Sequence, residues 1–194
     1  MAENIIYKDK TDEELVRLTL RDQEIFAYLI ERYKNKLIRF ILRITKVDLD
    51  EAEDILQNVF IKVYKNLNDF DTDLKFSSWI YRITRNETIS QHRKNMARPQ
   101  KYTLDLEDNL IKNVASEIDI EREMDVDFLK DHIEEILEKL DDKYREVLVL
   151  KFLEEKSYEE ISDIIKKPMG TVASLINRAK KQFREKLDKP GLKI

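Results

Sequence analysis

Only one glycine, Gly170, occurs before residue 191, and it falls between two short amphipathic stretches in the run SYEEISDIIKKPMGTVASLINRAKKQFR, residues 157–184. With two glycines and three prolines in 194 residues, the chain has few points at which a helix must stop. Pro168 and Gly170 mark one turn, while Pro99 and the Pro190-Gly191 pair fall outside the regular pattern, so nearly everything else can be helix. Within the run, Ser157 and Glu160 predict a capping box, and Tyr158, Ile161, Ile164 and Ile165 then share one apolar face. The chain is expected to break at Lys167, which precedes Pro168. Gly170 is expected to take the left-handed backbone of a tight turn, with Thr171 capping the second helix. Helix, short turn, helix is the helix-turn-helix pattern, whose second helix enters the major groove of DNA.

The second helix divides its residues as that task requires. At about 100° per residue, Val172, Ile176, Ala179, Phe183 and Leu187 form one packing stripe, which leaves Thr171, Ser174, Asn177, Arg178 and Lys181 outward. These side chains hydrogen-bond base edges and phosphates, and an arginine can hold guanine through two bonds. Any surface helix has a polar face, so the local charge matters. Residues 165–189 carry eight Lys or Arg against two acids, in a protein whose net charge is −4.

The overall acidity hides a partition. Residues 70–101 carry seven bases and three acids, and residues 102–142 four bases and fifteen acids. Two basic modules flanking an acidic connector point to two DNA-contacting surfaces. Without cysteine there is no disulfide framework, thiol catalysis or thiolate metal site. The histidines, His92 and His132, stand forty residues apart, and no glycine-rich phosphate loop exists before residue 170. An enzyme, a metal site and a cofactor are therefore disfavoured. No apolar run approaches the roughly 18 residues of a membrane span, and MAENIIYKDK lacks a signal-peptide core, so the expectation is a cytoplasmic protein without membrane insertion.

The first module spans roughly residues 11–97. Thr11 and Glu14 predict a capping box for a short helix through Asp22, with Leu15, Leu18 and Leu20 available for packing. A second helix, Gln23 to Thr45, carries Phe26, Leu29, Ile30, Tyr33, Leu37, Phe40, Ile41 and Ile44 at intervals of three and four. A third, about Asp50 to Leu67, turns Ala52, Ile55, Leu56, Val59, Phe60, Val63 and Tyr64 inward. Acids near its start suit the helix dipole, which accounts for Glu51, Glu53 and Asp54 but not for Gln57 and Asn58. A loop rich in turn formers, Phe70 to Lys75, follows, and a helix starts at Ser77 or Ser78. That helix mixes Trp79 and Tyr81 with Arg82, Arg85, Asn86 and Arg93, a composition suited to unpaired bases that stack on rings. Trp79, Ile80 and Ile83 are equally consistent with core; Trp79 is assigned to core, and contact to Arg82, Arg85, Asn86 and Arg93.

Together, DEAEDILQNVFIKVYKNL, FDTDLKFSSWIYRITRN, LDDKYREVLVLKFLEEKSYEEISDII and GTVASLINRAKK resemble the extracytoplasmic-function group of bacterial RNA polymerase sigma factors. The resemblance covers about residues 11–98 and 128–187, with two motif blocks in the family's order.

That resemblance implies an all-α chain of two helical domains: a region 2 bundle over 11–98, an acidic linker over 99–127, and a region 4 helix-turn-helix domain over 128–189. It implies contact between Asp54, Gln57 and Asn58 and the β′ clamp helices of core RNA polymerase, whose β subunit is also a partner. It further implies that Phe70 to Phe76, including Lys75, walls a pocket for a flipped-out base of the promoter minus-ten element. By the same resemblance Asn86 contacts the base, with Arg82, Arg85 and Arg93 beside it at the minus-ten strand. Flipping costs a few kcal/mol, which the pocket must offset. Thr171, Ser174, Asn177, Arg178 and Lys181 are placed at the minus-thirty-five element. An anti-sigma factor is a possible further partner. The acidic connector reads by composition as a solvated segment; by resemblance it threads polymerase channels and mimics phosphates, and residues 117–127 can form a short helix.

Departures from the family pattern are local. Asn58 stands where an acid is usual, and Ala173 and Leu175 stand where many members carry arginine, although Leu175 can also pack inward from the stripe's edge. The function expected is that of a promoter-specificity subunit that directs core polymerase to a promoter class and assists melting. The alternatives are a helix-turn-helix repressor or activator that does not bind core polymerase, and an interaction protein acting through its acidic connector.

Overall fold

The computed structural model describes residue 7, residues 9–94 and residues 126–187. Most of the linker expected over 99–127 lies outside them, as does all but the end of the short helix expected over 117–127. The described residues are helical with connecting turns, without a strand among them, and the chain divides into two compact units, one built mainly from residues 7–94 and one mainly from 126–187.

The first unit opens with α1 (Asp12–Thr19), set by the anticipated capping box. Thr11 Oγ1 accepts from the Glu14 amide at 3.2 Å, and Glu14 Oε2 accepts from the Thr11 amide at 2.8 Å. The helix stops three residues short of Asp22. Leu15 and Val16 are fully buried, whereas Leu20, assigned to packing by its spacing, is 47 % exposed because it lies past the last helical turn. A 3-10 turn over Gln23–Ile25, with the Asp22 carboxylate accepting from the Glu24 amide, replaces the expected first turn of the next helix. Helix α2 (Phe26–Ile44) follows and buries Leu29, Tyr33, Leu37, Phe40 and Ile41.

Helix α3 (Leu49–Lys65) is capped by Asp48, whose Oδ1 accepts from the Glu51 amide at 2.8 Å. Its inward line is Ala52, Ile55, Val59 and Val63. Leu56 and Phe60 are only half-buried, and Tyr64 is exposed. They sit at the edge of the stripe, where the rings of Phe60 and Tyr64 lie 6.4 and 5.2 Å from that of Phe26. After a 3-10 turn at Leu67–Asp69 and the loop, α4 (Phe76–Lys94) begins at Phe76, slightly ahead of Ser77. Helix α4 packs on α3 and on α1.

The second unit comprises α5 (Val126–Glu138), α6 (Asp142–Leu148) with a π turn at Val149–Leu153, α7 (Tyr158–Ile165) and α8 (Met169–Leu187). Val172, Ile176, Ala179 and Phe183 are buried as the periodicity predicts, and α8 packs on α6 and α5. Leu187 is half-buried at the end of the stripe. Arg145, 4 % exposed, ends α5: Nε donates to the Leu137 carbonyl at 3.0 Å, and Nη2 donates to the Leu140 carbonyl at 3.1 Å. Carbonyls that a helix end leaves open are thus satisfied by a buried cation.

The turn before α8 differs from expectation. Gly170 has no left-handed backbone; it is the second residue of α8. Lys166, at φ 53 and ψ 52, takes the left-handed position that closes α7, and the Pro168 carbonyl accepts from the Thr171 and Val172 amides. The break falls at Lys166 rather than Lys167. Proline cannot continue a helix but fits immediately before one, so the reversal falls on the residues ahead of it.

Candidate nucleic-acid interface

Helix α8 is fixed by its buried stripe and by the turn from α7, whose Ser157–Glu160 capping box forms as expected (Ser157 Oγ from the Glu160 amide, 3.1 Å; Glu160 Oε2 from the Ser157 amide, 2.9 Å). Thr171, Ser174, Asn177, Arg178 and Lys181 are all exposed, so the five side chains read as outward lie together along one accessible face. Ser174 donates to the Gly170 carbonyl at 2.9 Å, and Lys181 Nζ lies 3.9 Å from Glu185, an exposed pair of little energetic weight. Ala173 and Leu175 are half-buried, which fits the reading of Leu175 as an edge residue.

In the first unit, the loop before α4 is closed by its own turn chemistry. Asp71 Oδ1 accepts from the Asp73 amide and the Asp71 carbonyl from the Leu74 amide, both at 3.0 Å. Phe70 and Phe76 are buried, 7 % and 0 % exposed, and their rings pack edge to face at 5.5 Å. Trp79 is half-buried against both, at 5.0 and 5.7 Å. The two phenylalanines therefore form the floor under the loop instead of offering exposed rings. What the loop exposes is Asp71, Asp73, Leu74 and Lys75. Leu74, an apolar residue 52 % exposed, was not singled out by the sequence; an apolar residue inside a run of turn formers was the available signal.

On α4, Asn86 is exposed, and Arg82 and Arg85 are half-buried, with Arg85 Nη1 donating to Asn86 Oδ1 at 3.4 Å. The Arg93 side chain lies outside the described residues. The opposite face of α4 is buried but polar: Thr84 and Thr88 donate to carbonyls four residues back at 2.8 Å, and Glu87 pairs with Lys62 of α3 and accepts from Gln91 at 3.0 Å. These bonds fix which face of α4 points outward. Asp54, Gln57 and Asn58 are exposed together on α3, and Ile61, 51 % exposed, extends the same face one turn on. Ile61 was legible as the apolar residue left off the inward stripe.

Two contacts had no local signal at all. Phe76, whose amide opens α4, donates to Glu13 Oε1 at 2.9 Å, and Arg17 Nε and Nη2 donate to Thr72 Oγ1 at 3.4 and 3.3 Å. The partners are 63 and 55 residues apart, beyond any motif spacing.

Comparison with known proteins adds a second line. The family described as Sigma-70 region 2 matches residues 29–98, and that described as Sigma-70, region 4 matches residues 130–183. The chain is 36 % identical over 173 residues to the ECF RNA polymerase sigma factor SigW of Bacillus subtilis (strain 168), spanning 86 % of this chain and 90 % of that protein. It is 32 % identical to the RNA polymerase sigma-H factor of Pseudomonas aeruginosa, over 92 % of each chain. Identity to the ECF RNA polymerase sigma-E factor of Escherichia coli (strain K12) is 30 %, over 91 % of this chain and 94 % of that one. Among solved structures, CnrH in complex with the cytosolic domain of CnrY shares the fold at a TM-score of 0.68 and 23 % identity, covering 92 % of this chain and 98 % of that one. The sigma factor RpoE in complex with the anti-sigma factor NepR from Bartonella quintana does so at 0.62 and 22 %, covering 84 % and 98 %.

Proposed function

The chain belongs to the ECF sigma factors of bacterial RNA polymerase, and on that premise we propose that it binds core polymerase, directs it to a class of promoters and assists their melting. The observation that carries this reading is the joint exposure of three separate polar faces, each backed by its own buried stripe: Asp54, Gln57 and Asn58 on α3, the loop and Asn86 face on α4, and the five outward residues of α8. A repressor needs only the third.

In this assignment the α3 face meets the polymerase clamp, with Ile61 adding apolar area beside the polar contacts. The loop with Arg82, Arg85, Asn86 and Arg93 takes the melted minus-ten strand, Lys75 supplying charge and the buried Phe70 and Phe76 a rigid base. Helix α8 reads the minus-thirty-five element in the major groove. The domain limits that go with these roles are 11–98 and 128–189, joined by the acidic linker. The chain supplies binding and specificity while the polymerase performs the chemistry, and it acts in the cytoplasm. An anti-sigma factor is a candidate partner, since RpoE and NepR form such a complex.

The test is Asp54→Ala combined with Gln57→Ala. Both residues are exposed, so the fold is expected to persist, and association with purified core polymerase should be abolished while duplex binding through α8 is unchanged. Intact polymerase association in the double variant would overturn the assignment of the α3 face.

A further inference from the structure

We infer that Glu13 and Arg17 of α1 are positioning residues that hold the 70–76 loop in the form that takes a promoter base, an inference that rests on the assignment of this loop to minus-ten capture. The loop's own bonds through Asp71 close the turn over 71–74, and the Lys75 carbonyl accepts from the Trp79 amide at 3.3 Å where the loop meets α4. Two residues of α1 grip the loop from outside. Glu13 Oε1 accepts from the Phe76 amide at 2.9 Å, where the loop becomes helix, and Arg17 donates twice to Thr72 Oγ1, within the turn itself.

Helix α1 is a firm support for both. Leu15 and Val16 are fully buried beneath it. Its Asp12 carboxylate accepts from Arg32 and from the Tyr33 hydroxyl on α2, and the Tyr33 ring packs edge to face on Phe76 at 5.6 Å. The loop is thus gripped at both levels: apolar rings below, and two polar groups of α1 at its end and middle. Flipping a base out of a duplex costs a few kcal/mol, and a loop that had to be ordered in the same step would add to that cost. Holding the loop beforehand moves the ordering cost into folding. Neither bond touches the α3 face or α8, so their loss should weaken base capture selectively.

The two bonds differ in weight. The Glu13 bond joins a carboxylate to an amide in a part-buried setting, whereas the Arg17 bonds are exposed and long. Base capture is expected to fall about tenfold in Glu13→Ala and about twofold in Arg17→Ala.

The experiment uses the full chain bound to core polymerase and a promoter selected by the wild-type complex from a promoter pool. Its non-template minus-ten strand carries 2-aminopurine, which brightens on unstacking. Glu13→Ala and Arg17→Ala should slow the brightening, with core affinity and minus-thirty-five duplex affinity unchanged. Glu13→Gln, whose amide oxygen still accepts, should keep the wild-type rate, and a loss equal to that of Glu13→Ala would overturn the hydrogen-bond assignment. Arg17 is exposed, so Arg17→Ala provides the answer even if Glu13→Ala fails to fold. Slowing in Lys75→Ala with none in the Glu13→Ala and Arg17→Ala variants would overturn this inference alone. No slowing in Lys75→Ala either would overturn the loop assignment and this inference together. A parallel loss of core affinity would reduce the two residues to general structural supports, which is also a refutation.

Discussion

Tyr33 shows how one residue can belong to a packing stripe and a polar network at once. Its ring is buried, and its hydroxyl donates to Asp12. Burial, and then the negative charge of Asp12, push the hydroxyl's titration far above its ordinary value near 10, so it remains a donor. The neutral form is favoured by folding. Its contribution is fully present below pH 10 and is lost as the pH rises above 10, where the unfolded chain releases the proton first. Tyr33→Phe is therefore expected to cost about 1–2 kcal/mol at neutral pH, because Asp12 keeps only part of its hydrogen bonding. The variant should also lose less stability than wild type between neutral pH and pH 11 or so. Denaturant unfolding at a series of pH values checks both.

At the scale of elements, the α7–α8 turn separates what a glycine allows from what it is used for. The strained position is held by Lys166, while Gly170 is helical, and a Cβ built on Gly170 meets nothing within 4 Å. Glycine inside a helix costs about 0.5–1 kcal/mol relative to alanine. Gly170→Ala is expected to stabilise the second unit by about that amount, measured by chemical denaturation. If stability rises while DNA affinity falls, the glycine serves close approach of the α8 start to DNA and not the turn. The same comparison explains α4: a local reading placed its start at Ser77 or Ser78, because the group that caps Phe76 comes from α1.

For the molecule as a whole, charge partition matters more than net charge. A chain of net −4 can meet DNA only through segments that are locally basic, and residues 165–189, with eight Lys or Arg against two acids, form one such segment. Arg178→Ala with Lys181→Ala should weaken binding to minus-thirty-five duplex. It should also flatten the dependence of log affinity on log salt by up to about 0.9 for each phosphate contact removed. Titration of the duplex at several salt concentrations measures both quantities. An unchanged affinity and slope would remove α8 from the DNA interface.

The sequence by itself determined the all-helical class, the two basic modules, both capping boxes, the buried stripe of α8 and the exposure of its five outward polar residues. Each of these depends on residues within a few turns of one another, where helical periodicity and capping chemistry act directly. It also carried enough motif to indicate the family. The tertiary structure decided what long-range contact controls: the burial of Phe70 and Phe76 beneath the loop they flank, the start of α4, and the bonds by which Glu13 and Arg17 hold a loop more than fifty residues away. Local pattern cannot encode those, because a hydrogen bond between distant segments exists only after the intervening helices have packed and brought donor and acceptor within reach.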